Sequence, residues 1–303
     1  MRKRSVVDWI IDISIILILI IFTVSILYPF VNALAISLNN AEDTSRGGIT
    51  FFPRVLTFES YENIITNPMV GRAYTITIFR TVVGTLLSLF ATGIISYGLA
   101  HSNLVGRKFY SIVLLIPMFF GAPMVSWFLM LRSMGFINNI WVYIIPGLVG
   151  LFHIILMRTF FQQLPEALEE SARIDGANYL QIFFKIIIPI STPIMATIAL
   201  FVGIGHWNDW FLGEIFMIGA TGRNLRPMQN IMMSVINEAQ AIMMLSAIQG
   251  GIAAAAAGGR GWPVNTRSIT MATMFITIAP VLVIYPFLQK YFIKGVMVGS
   301  VKG

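Results

Sequence analysis

The chain contains no cysteine, which excludes disulfide bonds, thiol nucleophiles and thiolate metal sites. Charged residues make up only 11% of its 303 residues, against roughly 25% in a soluble domain. No Gly-Lys dipeptide occurs, so there is no Walker A loop for ATP. The three histidines lie far apart in sequence and form no i, i+4 ligand pair, so no metal site is predicted. Hydrophobic residues make up 57% of the whole chain, which indicates lipid as the surrounding medium.

Six segments are mostly apolar over about 20 residues, the length of a bilayer crossing. They cover 10–38, 74–100, 109–131, 137–157, 186–207 and 269–287. The sequence therefore predicts an all-α membrane protein with six transmembrane helices. Prolines inside these segments predict kinks or packed breaks, tolerated where neighbouring helices satisfy the freed carbonyls. These prolines are Pro117, Pro123, Pro146, Pro193, Pro280 and Pro286.

Two apolar segments leave alternatives open. The first could be a signal peptide, because "MRKR" resembles an n-region and "ALA" at 33–35 a cleavage site. Its apolar run is longer than the usual 7–15 residues of such a peptide, which favours a retained membrane helix. Residues 239–259 could form a seventh crossing, but a crossing there would place the last three lysines outside. We therefore interpret 211–267 as a long outer loop with one or two surface helices.

The lysines decide the orientation, since cytoplasmic loops carry an excess of basic residues. With the N-terminus inside, the cytoplasmic pieces are 1–9, 101–108, 158–185 and 288–303, and every lysine falls within them. Both termini are thus predicted to be cytoplasmic. The predicted parts are a first helix with its outer loop (1–70), a transmembrane domain (71–295) and a cytoplasmic tail (296–303).

An acidic stretch, "EALEESARIDGA" at 166–177, separates two apolar runs. Pro165 suits the start of a helix, glutamates near its N-terminus suit the helix dipole, and Gly176 is a natural stop. Asn178 with Gln181 resembles a capping box that starts a second helix. Leu168, Ser171, Ala172 and Asp175 share one face by i, i+3, i+4 spacing. The stretch could be a docking element or a solvated loop, and these signals alone do not separate the two.

The same residues resemble the EAA signature of ABC importer permeases, "EESARIDGANYLQIFFKIIIPISTP". Ser171 stands where the family usually has alanine. The C-terminal "YPFLQKYFIKGVMVGSVKG", together with "HWNDWF" and "LRPMQ", is similar to the maltose-permease-like class that imports oligosaccharides. The resemblance implies that 166–177 forms a cytoplasmic coupling helix between spans 4 and 5. The residues it assigns to ATPase coupling are Glu169, Glu170, Ser171, Ala172, Asp175, Gly176, Ala177, Phe183 and Pro189.

The resemblance further implies that the chain is a permease subunit of a bacterial inner-membrane importer. Its implied substrate is an oligosaccharide or related sugar. Its implied partners are a second permease chain, two ATPase subunits and an extracellular solute-binding protein. ATP and Mg²⁺ would belong to the ATPase, so the chain itself is expected to hold no cofactor and to be no enzyme. No nucleic-acid partner is expected.

Polar and aromatic residues at the outer end of the fifth span form a second candidate site, a substrate path. These are Trp207, Asn208, Asp209 and Trp210. Tryptophan at this level is typical of an interfacial anchor, and rings beside amide and carboxylate groups also suit sugar binding. Arg80, near the outer end of the second span, could snorkel outward or line the path.

Two other functional classes fit the composition less well. A stand-alone secondary transporter would need coupling groups at mid-membrane, and no span after the first has an acid at its centre. A membrane-embedded enzyme would need an intramembrane cluster of reactive groups, which the sequence does not provide.

Overall fold

The computed structural model describes residues 6–249 and 266–300. Throughout these residues the secondary structure is helical, apart from turns and one isolated antiparallel bridge between Asn39 and Leu56. The all-α prediction is confirmed for this part of the chain. The chain divides into two compact units, residues 1–70 with 232–278 and residues 71–231 with 279–303.

The helices are numbered here in chain order. They are α1 Val6–Ser37, α2 Ala41–Ser45, α3 Glu59–Ile65, α4 Pro68–Ala100, α5 Arg107–Phe119, α6 Met124–Ser133, α7 Leu151–Phe161, α8 Glu166–Ile174, α9 Tyr179–Ile182, α10 Ile188–Ile190, α11 Thr192–Asn208, α12 Phe211–Phe216, α13 Gly219–Arg223, α14 Met228–Gln249 and α15 Thr266–Ser300. A 3₁₀ turn covers Ile140–Tyr143 and a π-helical turn covers Phe183–Ile187.

Three of the described helices are long and apolar enough to cross a membrane: Val7–Ser37, Pro68–Ala100 and Thr266–Pro286. Two further candidates are bent pairs. The pair α5 and α6 bends by 116°, and the pair Tyr179–Ile190 and Thr192–Asn208 bends by 83°. By length and composition the described residues therefore hold three spans, or up to five if each bent pair is one span.

Proline explains both bends. Between α5 and α6 the chain reads "GAP", and Pro123 adopts an extended backbone at the start of α6. The second bend is at Ser191, between Pro189 and Pro193. Because proline lacks an N–H and clashes with the preceding turn, it breaks a helix unless neighbours compensate. The predicted breaks thus occur at Pro123 and beside Pro193, whereas Pro280 and Pro286 lie inside α15.

The fourth predicted span, 137–157, is not one continuous helix. The structure has the short turn Ile140–Tyr143, a non-helical stretch around Pro146 and Gly147, and then the 11-residue helix α7. Apolar composition predicts a helix over 137–157, but Pro146 and Gly147 interrupt it. An 11-residue helix is about 16 Å long at 1.5 Å per residue, roughly half the thickness of the hydrocarbon core.

The predicted outer loop, 211–267, contains α12, α13 and α14 within its described part. The 22-residue helix α14 is not among the helices apolar enough to cross a membrane. The Ala/Gly-rich segment 250–261, and with it about half of the alternative seventh crossing at 239–259, lies outside the described residues.

The second unit has two hydrophobic clusters. One lies beneath the acidic stretch and includes Tyr97, Met157, Phe161, Ala172, Ile182, Phe183, Ile187, Ile194, Ile198 and Val202. The other lies around the start of the fourth predicted span and includes Leu131, Phe136, Val142, Tyr143, Ile144, Phe216 and Met217. Each cluster joins segments that are distant in sequence, and the first one positions the candidate site.

The first unit contains a buried polar cluster just after α1. The Asn39 amide donates to Asp43 Oδ2 at 2.9 Å and to Thr44 Oγ1 at 3.0 Å, and its Oδ1 accepts from the Val55 N–H at 2.9 Å. Arg54 Nε donates to Asp43 Oδ2 at 2.8 Å. The hydrogen bond from Asn39, followed by that from Arg54, lowers the pKa of Asp43 below its ordinary value. These bonds give the buried Asn39 amide its hydrogen-bond partners, and they hold residues 39, 43, 44 and 55 together.

We expect Asn39→Ala to destabilise the protein by roughly 1–3 kcal/mol, because the Val55 N–H loses its side-chain acceptor and Asp43 and Thr44 lose the amide that donates to both. Thermal unfolding in detergent would measure the change. The exposed neighbour Glu42 gives the control, Glu42→Ala, with an expected effect within about 0.5 kcal/mol. Equal melting temperatures for both variants would contradict the assigned role of Asn39.

Candidate functional site

The acidic stretch folds into a short, firmly ended helix, α8. Its first turn carries Glu166 and Glu169 and its last turn Arg173, each charge opposite in sign to the helix terminus that it lies near. The helix ends at Gly176, whose φ is 82°, a conformation that glycine adopts without strain. The Gly176 N–H donates to Arg173 O at 3.0 Å and the Ala177 N–H to Ala172 O at 2.9 Å. These two bonds form a Schellman motif, so the predicted stop is confirmed.

The chain restarts at once in α9. Asn178 Oδ1 accepts from the Gln181 N–H at 2.9 Å, and Gln181 Oε1 accepts from the Asn178 N–H at 2.9 Å. This reciprocal pair is the predicted capping box. The turn between α8 and α9 is therefore fixed from both sides by local hydrogen bonds.

The two faces of α8 differ in exposure. Ala172 points into the chain's own hydrophobic cluster, whereas Ser171 and Asp175 are exposed. Of the four residues that share a face by spacing, Ala172 is the one buried side chain of α8, and it packs internally. On the opposite side Ile174 is 86% exposed. Ala167, Glu170 and Ser171 are exposed on the same side.

The remaining residues of the signature fall into two groups. Ala177 and Phe183 contact the cluster that holds Ala172, and Phe183 is buried against the Tyr97 ring with centroids 5.2 Å apart. A Cβ on Gly93 would lie 3.1 Å from Phe183 Cζ, so the α4 backbone approaches this ring closely. Pro189 is exposed beside the bend at Ser191.

A contact that the sequence gave no sign of joins α8 to the end of α4. His101 Nε2 lies 2.8 Å from Glu169 Oε2, and His101 Nδ1 lies 2.8 Å from the Tyr97 carbonyl oxygen. Both side chains are about one fifth exposed, at 23% for His101 and 21% for Glu169. The two residues are 68 positions apart in the sequence, so no local sequence pattern could predict their contact.

His101 and Glu169 line an open cleft of about 360 Å³. Its walls come from the end of α4, the start of α5, the end of α7 and α8, and they include Arg107, Glu166 and Glu170. Among the described residues no group of three or more His, Cys, Asp or Glu could hold a metal ion. The cleft therefore offers polar side chains at a surface, without a metal-binding arrangement.

Arg80 does not snorkel outward. Its side chain is fully buried in the second unit. Nε donates to the His206 carbonyl at 2.6 Å, Nη2 donates to the Asp209 carbonyl at 2.6 Å and also to His206 O, and the guanidinium lies 4.9 Å from the centre of the Tyr143 ring. The Asp209 carboxylate lies 3.3 Å from Nη2. The snorkelling prediction is wrong because the carbonyls at the end of α11 need donors, and Arg80 supplies them.

The four predicted substrate-path residues have different surroundings. Trp207 is buried and lines a nearly apolar cavity of about 290 Å³ with side chains of α4, α11 and α15. Asp209 accepts from the Phe211 N–H at 3.0 Å and pairs with Arg80. Asn208 lies 3.5 Å from Gln229, and Trp210 is 40% exposed. They do not converge on one polar pocket, and their role in a substrate path stays a prediction.

Comparison with known proteins identifies the family. Residues 84–298 match the family described as "Binding-protein-dependent transport system inner membrane component". The chain is 32% identical to the polygalacturonan/rhamnogalacturonan transport system permease protein YtcP of Bacillus subtilis, over 94% of this chain and 96% of that protein. It is 27% identical to the arabinooligosaccharides transport system permease protein AraQ of Halalkalibacterium halodurans, over 100% of this chain and 99% of that protein.

A solved structure agrees with these relatives. A chain in the crystal structure of a bacterial ABC transporter involved in the import of the acidic polysaccharide alginate matches with a TM-score of 0.83 and 28% identity. The match covers 96% of this chain and 100% of that one. The chain therefore belongs to the binding-protein-dependent transport system inner membrane component family, a family of multi-pass membrane permeases, and the resemblance drawn from the sequence is confirmed at this level.

The close approach of α4 to α11 can be tested at Gly84. An ideal Cβ there would lie 2.5 Å from His206 Nε2, whereas a Cβ on Gly98 of the same helix would meet nothing within 4 Å. We expect Gly84→Ala to destabilise the protein by about 1–3 kcal/mol through overpacking. Gly98→Ala is the matched control and should be neutral or slightly stabilising. Thermal unfolding in detergent would compare the two, and equal stability would contradict the close contact.

Proposed function

We propose that this member of the family is the permease subunit of an ABC importer that carries an oligosaccharide or related sugar inward, driven by separate ATPase subunits. The observation that carries the proposal is the exposed face of α8. Ile174 is 86% exposed there, beside the exposed Glu170 and Ser171. An exposed large apolar side chain on a short helix with a fixed C-terminal end is suited to insertion into a partner. In a permease that lacks a Walker A loop, that partner is the ATPase.

The proposed topology has six spans with both termini in the cytoplasm of a bacterial cell and the chain in the inner membrane. Three long apolar helices, two bent pairs and the short helix α7 provide six candidates. Two sets of contacts support the orientation. His101 and Glu169, which belong to two predicted cytoplasmic pieces, lie in contact, and Phe136 and Phe216, which belong to two predicted outer pieces, share one cluster.

The proposed mechanism is alternating access. ATP binding closes the two ATPase subunits, and α8 moves with the ATPase surface to which it is bound. The spans then rock from an inward-facing to an outward-facing arrangement, and an extracellular binding protein releases the sugar into the cavity. Hydrolysis resets the state. No covalent step takes place on this chain, whose task is to convert the displacement of one helix into movement of the others.

The complete importer would contain a second permease chain, distinct from this one, in addition to the ATPases and the binding protein. The relatives named above carry different polysaccharides and oligosaccharides in their names, so the class of substrate is proposed as saccharide without a single sugar. The predicted coupling residues and the outer-end residues Trp207 to Trp210 keep their proposed roles in ATPase docking and in the substrate path.

The proposal is tested by purifying the tagged chain with its partners from native membranes. We expect an ATPase, a second permease and a binding protein to co-purify. In proteoliposomes the complex should accumulate at least one saccharide from a panel of acidic and neutral oligosaccharides, and only with ATP inside. Uptake by this chain alone, without an ATPase, would contradict the proposal and favour a secondary transporter.

We expect Glu170→Lys and Gly176→Pro each to lower ATP-dependent uptake roughly tenfold or more, while the chain stays in the membrane. Reversing an exposed charge weakens a complementary interface, and about 1.4 kcal/mol is tenfold in affinity. Proline cannot adopt the φ of 82° at Gly176 and removes an N–H that caps α8.

Glu59→Lys is the matched control, since Glu59 is an exposed glutamate at the start of α3 in a predicted outer segment. It should leave uptake unchanged. Full uptake by both coupling variants would refute the assignment of α8 without affecting the family.

A further inference from the structure

We infer that His101 is a positioning residue that fastens the coupling helix α8 to the end of α4, so that displacement of α8 also displaces α4. The inference rests on the proposed function of α8. The two bonds of the His101 ring define its geometry: Nδ1 lies 2.8 Å from the Tyr97 carbonyl oxygen, and Nε2 lies 2.8 Å from Glu169 Oε2. Both partners are hydrogen-bond acceptors, so a ring that donates from both nitrogens satisfies both at once.

The His101–Glu169 pair belongs to a closed cycle of four side chains. Arg173 Nη2 lies 3.4 Å from Glu169 Oε2, and the Arg173 guanidinium lies 4.6 Å from the centre of the Tyr179 ring. The Tyr179 ring in turn meets the His101 ring edge-on, with centroids 5.8 Å apart. The cycle joins the end of α4, both turns of α8 and the start of α9, and so holds the Gly176 turn from both sides.

The rest of the attachment of α8 is slight. Among its nine residues only Ala172 is classed as buried, and a single methyl group contributes little apolar area. A helix of this length is also marginal by itself. Glu169 and Arg173, the two α8 side chains of the cycle, therefore make the polar contacts that hold α8 against its neighbours α4 and α9.

The partner of α8 in this contact is well suited to carry a displacement. His101 follows the last residue of α4, a continuous helix of 33 residues, and its ring is fixed by the carbonyl one turn earlier. The Tyr97 ring meets the His101 ring edge-on at 4.6 Å and the Phe183 ring at 5.2 Å. A displacement of Glu169 would therefore be passed to the end of a long, continuous helix.

The functional test uses the assembled importer in proteoliposomes with three variants. His101→Ala removes the link, His101→Arg keeps a hydrogen-bond donor facing Glu169 and gives it a fixed positive charge, and Ser102→Ala changes the exposed neighbour. We expect His101→Ala to keep ATP hydrolysis within about twofold of wild type and to lower the saccharide transported per ATP about fivefold or more, the lower range of coupling between sites. His101→Arg should recover most of that ratio, and Ser102→Ala should match wild type.

A second measurement follows the position of α8 directly and needs no partner. The chain has no cysteine, so spin labels can be placed at Val105→Cys and Ile174→Cys, where the native side chains are 89% and 86% exposed. On the full-length chain in detergent, we expect a narrow distance distribution with His101 or Arg at position 101. With Ala there the distribution should broaden.

An unchanged transport ratio together with an unchanged distance distribution in His101→Ala would overturn the inference. A parallel loss of hydrolysis and uptake with an unchanged distribution would overturn it as well, because the residue would then act elsewhere. If His101→Ala does not reach the membrane, His101→Gln is compared with His101→Arg on the same two readouts. Failure of the proposed function is distinct: the wild-type complex would then hydrolyse no ATP during uptake, while the distance measurement still reports on the link.

Discussion

The buried guanidinium of Arg80 completes the end of α11, and the second unit depends on that contact. The last carbonyls of a helix have no partner within the helix, and a membrane offers no water to replace one. Arg80 donates to two of them, at His206 and Asp209, and is balanced by the Asp209 carboxylate and the Tyr143 ring. An arginine buried in this way is costly unless it is paired and hydrogen-bonded, which explains why acceptor oxygens from the end of α11 and the Tyr143 ring converge on it.

That contact joins α4 to the end of α11, and α4 makes a second set of contacts near its own C-terminal end. At one end Arg80 of α4 binds the end of α11, and glycines let the helices approach, since a Cβ on Gly84 would meet His206. At the other end Phe183 packs against Tyr97, with the His101 contact to α8 beside it. Small residues at such crossings allow close packing without a hydrophobic driving force between helices. Under the proposed function, a displacement of α8 would act on α4 at one end, and α4 contacts the end of α11 through Arg80.

Local signals were sufficient to predict α8, its end at Gly176 and the restart at Asn178, because caps and turns depend on residues within five positions of one another. The same signals failed where the partner is distant. His101 and Glu169 are 68 residues apart. The buried position of Arg80 depends on carbonyls more than a hundred residues away in the sequence. Apolar composition also misjudged 137–157, where Pro146 and Gly147 interrupt a stretch that would otherwise read as a helix.

The bend at Ser191 explains why a second connection from α8 is useful. Along the chain, a displacement of α8 must pass through α9 and the π-helical turn at Phe183–Ile187 and then turn through 83° before it reaches α11. This route therefore crosses a π-helical turn and a sharp bend, two interruptions of the regular helix. The contact through His101 avoids the bend because it ends on α4 directly. In the proposed mechanism, a helix that is exposed on one face and held on the other by the cycle of four side chains would move as a rigid body and carry α4 with it.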